Sequence, residues 1–177
     1  MQIRHVVLAF AAIAVTATTA AAQNPVSDSL RRSWNSVKRN IKESAELMPE
    51  ENYSFKPTPD VRSFADLLTH VAGASYVYCS SAKNEKSAFE EDSFEGKLKT
   101  KAEIVKATND AIAYCDAAFA ALTDATAGDM VHAGFGTSQV TRVSSLVGQI
   151  GHDNEHYGNL VTYFRLKSLV PPSSRPR

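Results

Sequence analysis

The first periodic segment of the chain runs from residue 26 to residue 47. Apolar residues recur there near helical spacing, with charged residues between them, which predicts an amphipathic helix. These apolar positions are Leu30, Trp34, Val37, Ile41 and Leu47. Pro49 follows the segment and predicts its end, and residues 54–62, with Pro57 and Pro59, are expected to form a loop.

A second helix is predicted to begin at Ser63 and to end near Lys83. Ser63 followed by Asp66 is a capping arrangement, in which the hydroxyl meets free backbone N–H groups. One apolar stripe then follows, made of Phe64, Leu67, Leu68, Val71, Ser75 and Tyr78. Residues 84–99 are polar and form a connector of about 16 residues, which is long for a simple hairpin.

Two more helices are predicted in the second half of the chain. The third spans 100–122, with Thr100 and Glu103 repeating the capping pattern. Its apolar face consists of Ile104, Ala107, Ala111, Ala118, Phe119 and Leu122. Residues 123–137 form a connector with three glycines, and the fourth helix is predicted at 138–168. Pro171 and Pro172 end it, and residues 174–177 are expected to be a disordered tail.

Four helices with little strand signal predict an all-α protein with the architecture of a four-helix bundle. The first connector could span roughly 50 Å when extended, which exceeds the length of a helix of this size. The second and third helices could therefore run parallel, although a hairpin remains an alternative at this point.

The first 22 residues have the pattern of a secretory signal peptide. Arg4 and His5 precede an apolar run, and Ala20, Ala21 and Ala22 offer small residues for cleavage after position 22. The apolar run is too short for a membrane anchor, which needs roughly 20 residues. We therefore expect export to the periplasm or the medium, with no stable membrane anchor and one domain at residues 23–173.

The net charge of the chain bears on which partners it can bind. The chain has 19 basic and 19 acidic residues, so nothing predicts binding to nucleic acid or to an anionic membrane. Its only two cysteines, Cys79 and Cys115, are too few for a disulfide-rich scaffold.

Histidines give the strongest indication of chemistry. His152 and His156 are four residues apart and lie on one face of the fourth helix, and His70 on the second helix is the natural third ligand for a metal ion. Solvated surface histidines are the simpler alternative. The two histidines are predicted to lie on a polar face, opposite an apolar stripe formed by Val143, Leu146, Val147, Ile150, Tyr157, Val161 and Phe164. Such a site would be shallow. His132 is predicted to be a loop histidine.

Two blocks of sequence resemble a known family. Residues 151–160, followed by Tyr163-Phe164-Arg165-Leu166 and by Val170-Pro171-Pro172-Ser173, resemble the carboxyl-terminal signature of the DinB-like (DinB/YfiT) superfamily. Residues 63–72 resemble its first histidine motif. The chain departs from the family pattern at Asn159, where a glutamine is usual, which leaves the role of Asn159 in doubt. The resemblance covers about residues 26–173.

The resemblance implies an up-down-down-up bundle with a divalent metal ion held by His70, His152 and His156. Zinc, nickel, iron and manganese are the candidate ions. In that topology the second and third helices are parallel, so Cys79 and Cys115 would lie at similar heights and could form a disulfide. The resemblance also makes a homodimer a reasonable expectation.

Family members include metal-dependent thiol transferases and proteins with hydrolase activity, so the resemblance implies a metal-dependent hydrolase or transferase acting on an unidentified small molecule. The alternative is an envelope protein that binds a metal or a ligand without catalysis. Asp153, Glu155 and Tyr163 are the candidate catalytic residues, to orient a ligand histidine or move a proton. Asp153 and Glu155 are more simply interpreted as solvated charges.

Overall fold

The computed structural model describes residues 23–176, and the predicted signal peptide at residues 1–22 lies outside this range. Four helices make up most of the described chain: α1 (Pro25–Leu47), α2 (Phe64–Lys83), α3 (Lys101–Ala121) and α4 (Arg142–Leu166). None of the helices in this range is long and apolar enough to cross a membrane. The prediction of an all-α four-helix bundle is confirmed.

Both predicted capping arrangements are present. The Ser63 hydroxyl accepts from the backbone N–H of Asp66, and the Asp66 side chain accepts in return from the backbone N–H of Ser63. Thr100 and Glu103 make the same reciprocal pair at the start of α3. These contacts satisfy N–H groups that would otherwise lack partners at the first turn, so the two helices begin where the sequence predicts.

The fourth helix begins later than predicted. Strand β1 (Met130–His132) pairs antiparallel with strand β2 (Gln139–Thr141), and Val131 lies opposite Val140. The helical prediction for residues 138–141 is therefore wrong. The branched side chains of Val140 and Thr141 suit a strand, and α4 starts where the Thr141 side chain accepts from the backbone N–H of Ser144.

The helices run up, down, down and up. The Arg31 guanidinium near the start of α1 donates to the Leu122 carbonyl just after α3, which makes α1 and α3 antiparallel. The Ser145 hydroxyl at the start of α4 donates to the Tyr78 carbonyl late in α2, so α2 and α4 are also antiparallel. α2 and α3 are parallel because both begin near the end of α1: the Ala65 N–H donates to the Tyr53 carbonyl, and the Lys101 ammonium donates to the Met48 carbonyl.

A disulfide joins the two parallel helices. Cys79 of α2 and Cys115 of α3 are bonded, with their Cα atoms 5.3 Å apart. Both residues are buried in the apolar core. Since the two helices run in the same direction, the connector between them must return along the full length of the bundle.

The rest of the core fixes how the helices face one another. Trp34 of α1 stacks on Phe119 of α3 with ring centroids 4.7 Å apart, and its indole N–H donates to Asp116. At the other end of the bundle, Phe64 of α2 meets Phe164 of α4 edge-on at 5.8 Å. Buried aromatic pairs of this kind contribute both apolar area and orientation.

The connector between α2 and α3 lies directly on α2 at Gly73. A Cβ atom at Gly73 would be 1.9 Å from the backbone carbonyl oxygen of Glu91. Only glycine permits this approach of two backbones. Glu91 and Asp92 are therefore held over the middle of α2, one helical turn from His70.

Removing the disulfide should lower stability. The bridge closes a sequence separation of 36 residues, and constraining the unfolded chain over such a loop contributes about 2–4 kcal/mol. We expect the variant Cys79→Ala/Cys115→Ala to lose that free energy of unfolding in urea titrations. Dithiothreitol should bring the parent to the level of the variant and leave the variant unchanged. Equal stability of parent and variant would contradict a stabilising bridge.

Candidate metal centre

Three imidazole rings from two antiparallel helices meet at one point. His152 Nε2 lies 3.2 Å from His70 Nε2 and 3.1 Å from His156 Nε2. The two α4 histidines are one turn apart and face α2, which supplies His70. The structure therefore brings together the three histidines that the sequence singles out, and these three form a group that could hold a metal ion.

The spacing of the nitrogens fits a divalent metal ion. Nitrogens that bind one ion at about 2.0–2.1 Å with tetrahedral angles lie about 3.3 Å from one another. The two Nε2 separations at His152 are close to this value. A cluster of three ring nitrogens at such distances suits a shared cation, since only one proton can occupy each close nitrogen pair.

Carboxylates lie against the outer nitrogens of two of these rings. His70 Nδ1 is 3.2 Å from Asp92 Oδ1, and this hydrogen bond is the main cause of a lowered pKa at Asp92. His152 Nδ1 is 3.5 Å from Asp153 Oδ1, which is longer than a good hydrogen bond. A carboxylate at Nδ1 favours the tautomer with its proton there, which leaves the Nε2 lone pair free for a metal ion.

The centre is buried, which corrects the expectation of a shallow site on a polar face. His70 is 5% exposed and His156 is 8% exposed, whereas Val147 of the predicted apolar stripe is 51% exposed. The helix buries Leu146, Tyr157 and Phe164 of that stripe, and its polar residues also turn inward where α2 presents polar partners. The inward residues of α4 therefore include both histidines of the pair and Gln149.

A hydrogen-bond chain fills this polar interface. The Gln149 amide donates to the Ser75 hydroxyl of α2 at 2.8 Å and to Asp153 Oδ2 at 3.0 Å. Asp153 is 1% exposed, so the interpretation of this residue as a solvated charge is wrong. Burial raises the pKa of Asp153, and His152 and Gln149 act in the opposite direction. Asp153 is placed to orient His152 and does not reach solvent.

The other sequence candidates lie elsewhere. Glu155 is exposed on α4, as a solvated charge would be. The Tyr163 hydroxyl is buried and donates to the backbone carbonyl of Arg62, so it ties α4 to the start of α2. His132 is exposed on strand β1, so the prediction of a loop histidine is wrong, and it lines a cavity beside the centre without joining the three histidines.

Protonation of His156 is suppressed by its surroundings. Burial lowers its pKa to about 4, and the positive charges that His152 and His70 can carry act in the same direction. His156 is therefore neutral at pH 7, and the neutral imidazole is the form that binds a metal ion.

Sequence reasoning missed two acidic residues of the centre. Glu91 Oε1 lies 3.5 Å from His70 Nε2 and 3.7 Å from His152 Nε2, and Asp92 contacts the other side of the His70 ring. Both residues lie in the connector that packs against α2 at Gly73. The acidic run of residues 90–92 is visible in the sequence, but its place on α2 depends on a backbone path that periodicity does not specify.

A cavity of about 720 Å³ lies beside the centre, between this connector and the β-hairpin. Glu91 and Asp92 belong both to its wall and to the surroundings of His70. Phe89 and Phe135 add apolar surface, and Ser80 adds a hydroxyl. The cavity is large enough for a small organic molecule.

Solved structures share the fold of this chain. A DinB-like protein from Bacillus cereus superposes with a TM-score of 0.68 at 16% identity, over 82% of this chain and 95% of that one. A DinB-like protein from Bacillus subtilis gives 0.66 at 19%, over 84% and 99%. YfiT from Bacillus subtilis, described as a probable metal-dependent hydrolase with an unusual four-helix bundle topology, gives 0.62 at 13%, over 86% and 93%.

None of the curated proteins matches the chain at a significant level. The family model of the DinB superfamily matches residues 33–160, which contain all three histidines of the centre and most of the four helices. The chain therefore belongs to the DinB superfamily.

Proposed function

We propose that this protein is a divalent-metal-dependent enzyme of the hydrolase type that acts on a small molecule. The observation that carries the proposal is the convergence of three Nε2 atoms from His70, His152 and His156 at metal-binding distances. The description of YfiT as a probable metal-dependent hydrolase points to the same reaction class. Zinc, nickel, iron and manganese are the ions that such a site would accept.

The residues around such an ion would have different roles. A bound divalent ion would polarise a carbonyl group and lower the pKa of water. The three histidines hold the ion, and Asp92 and Asp153 orient two of their rings from outside. The burial of the rings excludes bulk water and strengthens these electrostatic interactions.

The adjoining cavity supports a substrate class. Carboxylates dominate its charged wall, with Glu85, Glu90, Glu91 and Asp92 against a single lysine, Lys86. An anionic molecule would be repelled there, so we propose a neutral or cationic small molecule that contains a polar bond near an aromatic or aliphatic group.

Export and the disulfide bear on the choice between hydrolase and thiol transferase. We propose that residues 1–22 direct the chain out of the cytoplasm, and the Cys79–Cys115 bridge suits an oxidising compartment. Low-molecular-weight thiol cofactors are chiefly cytoplasmic, which favours hydrolysis over thiol transfer.

Non-catalytic metal binding in the envelope is the second candidate, and the burial of the centre favours it. His70 and His156 are both less than a tenth exposed. Structural metal sites are closed, whereas catalytic ones keep an open position. A site without turnover would bind metal as tightly as an enzyme and hydrolyse nothing.

Metal content tests the shared basis of both candidates. Protein purified without an affinity tag should contain about one equivalent of divalent metal by elemental analysis. The variant His152→Ala/His156→Ala should lose it, because one remaining imidazole cannot hold the ion. The variant His132→Ala is the matched control and should keep the metal, since His132 lies outside the centre. A parent without metal that also shows no thermal shift with zinc, nickel or manganese would exclude both candidates.

Asp153 should affect metal binding through its position beside His152 Nδ1. Replacing Asp153 by Asn keeps the shape of the side chain but removes the charge that stabilises the proton on His152 Nδ1. We expect metal affinity to fall by about 10-fold or more, the usual effect of losing an outer partner of a ligand. Competition with a chelator measures it. The variant Glu155→Gln removes an exposed carboxylate two residues away and should bind as the parent does; equal effects of the two substitutions would contradict the assignment.

A further inference from the structure

We propose that Glu91 is a fourth protein ligand of the metal ion, which makes the centre a three-histidine, one-carboxylate site. The inference rests on the proposed function in one respect, that the three histidines bind a divalent ion. Glu91 lies far from these histidines in the sequence and outside both blocks that resemble the family.

The distances between Glu91 and the histidines are the first support for this proposal. A carboxylate oxygen and an imidazole nitrogen that bind the same ion with tetrahedral angles lie about 3.3 Å apart. Glu91 Oε1 is 3.5 Å from His70 Nε2 and 3.7 Å from His152 Nε2. The oxygen therefore lies beside two of the three nitrogens at nearly the separation of a neighbouring ligand.

The negative charge of Glu91 beside the imidazole rings is the second support. In the tautomer that Asp92 and Asp153 favour, with the proton on Nδ1, His70 and His152 direct Nε2 lone pairs toward the carboxylate of Glu91. Lone pairs and a carboxylate repel one another unless a cation lies between them. Among residues 23–176, no lysine or arginine forms an ion pair with Glu91. A divalent ion is the partner that satisfies all of these acceptors at once.

The fixed backbone of the connector at Glu91 is the third support. The Glu91 carbonyl lies so close to Gly73 that any side chain there would overlap it. The ring of Tyr76 on α2 contacts Phe89 and Phe94, which lie before and after Glu91 in the connector. The connector is therefore fixed to α2 on both sides of Glu91. The packing of the connector, and not a flexible loop, positions the Glu91 carboxylate at the centre.

A fourth protein ligand changes what the centre accepts. Three nitrogens and one carboxylate oxygen close a tetrahedral site, so an open position requires an ion that takes five or six ligands. Oxygen ligands suit manganese, and imidazoles suit iron and nickel. A catalytic centre with this ligand set therefore requires an ion of higher coordination number, whereas four-coordinate zinc would make a closed, non-catalytic site.

The test measures metal affinity and coordination, independent of any turnover. Purified full-length protein is loaded with cobalt(II), and its dissociation constant is measured by competition with a chelator, beside the visible absorption spectrum of the bound ion. The variant Glu91→Gln should bind at least about 10-fold more weakly and show a changed spectrum, because it loses a charged ligand. The neighbouring variant Glu90→Gln removes an exposed carboxylate of the same connector and should match the parent in both readouts.

A second pair of variants tests the same proposal through the backbone. Gly73→Ala should displace the connector and weaken cobalt binding in the same direction as Glu91→Gln, whereas Gly151→Ala, on a helix with open space around its Cα, should not. Circular dichroism shows whether each variant keeps its helices.

The outcomes separate the two proposals. Tight cobalt binding with an unchanged spectrum in Glu91→Gln would overturn the fourth ligand and leave the three-histidine centre intact. A parent that binds no cobalt, zinc, nickel or manganese would overturn the metal centre itself, and Glu91 with it.

Discussion

The parallel packing of α2 and α3 is the constraint on which the site depends. Helices that run in the same direction cannot be joined by a tight turn, so the chain must return along the bundle before α3 begins. The disulfide between Cys79 and Cys115 fixes this alignment covalently. The returning connector crosses α2 at Gly73, and this crossing places Glu91 and Asp92 against His70. A hairpin between the same helices would leave the histidines without these carboxylates.

Burial of the centre has a cost that the surrounding polar groups offset. Imidazoles and a carboxylate inside a bundle lose their hydration, and this loss destabilises the fold unless hydrogen bonds or a cation replace the water. Gln149 bridges Ser75 and Asp153, and Asp92 meets His70. His152 Nδ1, His156 Nδ1 and Asp153 Oδ1 remain without hydrogen bonds among the described residues. An ion bound at the Nε2 atoms would polarise the His70 and His152 rings and strengthen their Nδ1 contacts with Asp92 and Asp153.

The sequence predicts the helices well because their signals are local. Apolar spacing and the reciprocal caps at Ser63 and Thr100 depend on residues within a few positions of each other, and both caps are present. The three histidines are found by spacing and resemblance together, and the structure brings them to one point. The prediction fails at Val140, where strand pairing replaces helix, and at Asp153, where a polar face turns inward. The positions of Val140, Asp153 and Glu91 all depend on contacts between elements far apart in the chain. The sequence pattern does not specify such contacts, so the role of Glu91 is missed.

Glu91 also links the metal centre to the cavity. The same connector forms a wall of the 720 Å³ cavity and carries the carboxylate that faces the histidines. If the ion binds Glu91 as proposed, it would hold this wall in place, and a small molecule that displaces the wall would weaken the binding of the ion. Linkage would then require that metal binding and occupation of the cavity change each other's affinity by the same factor.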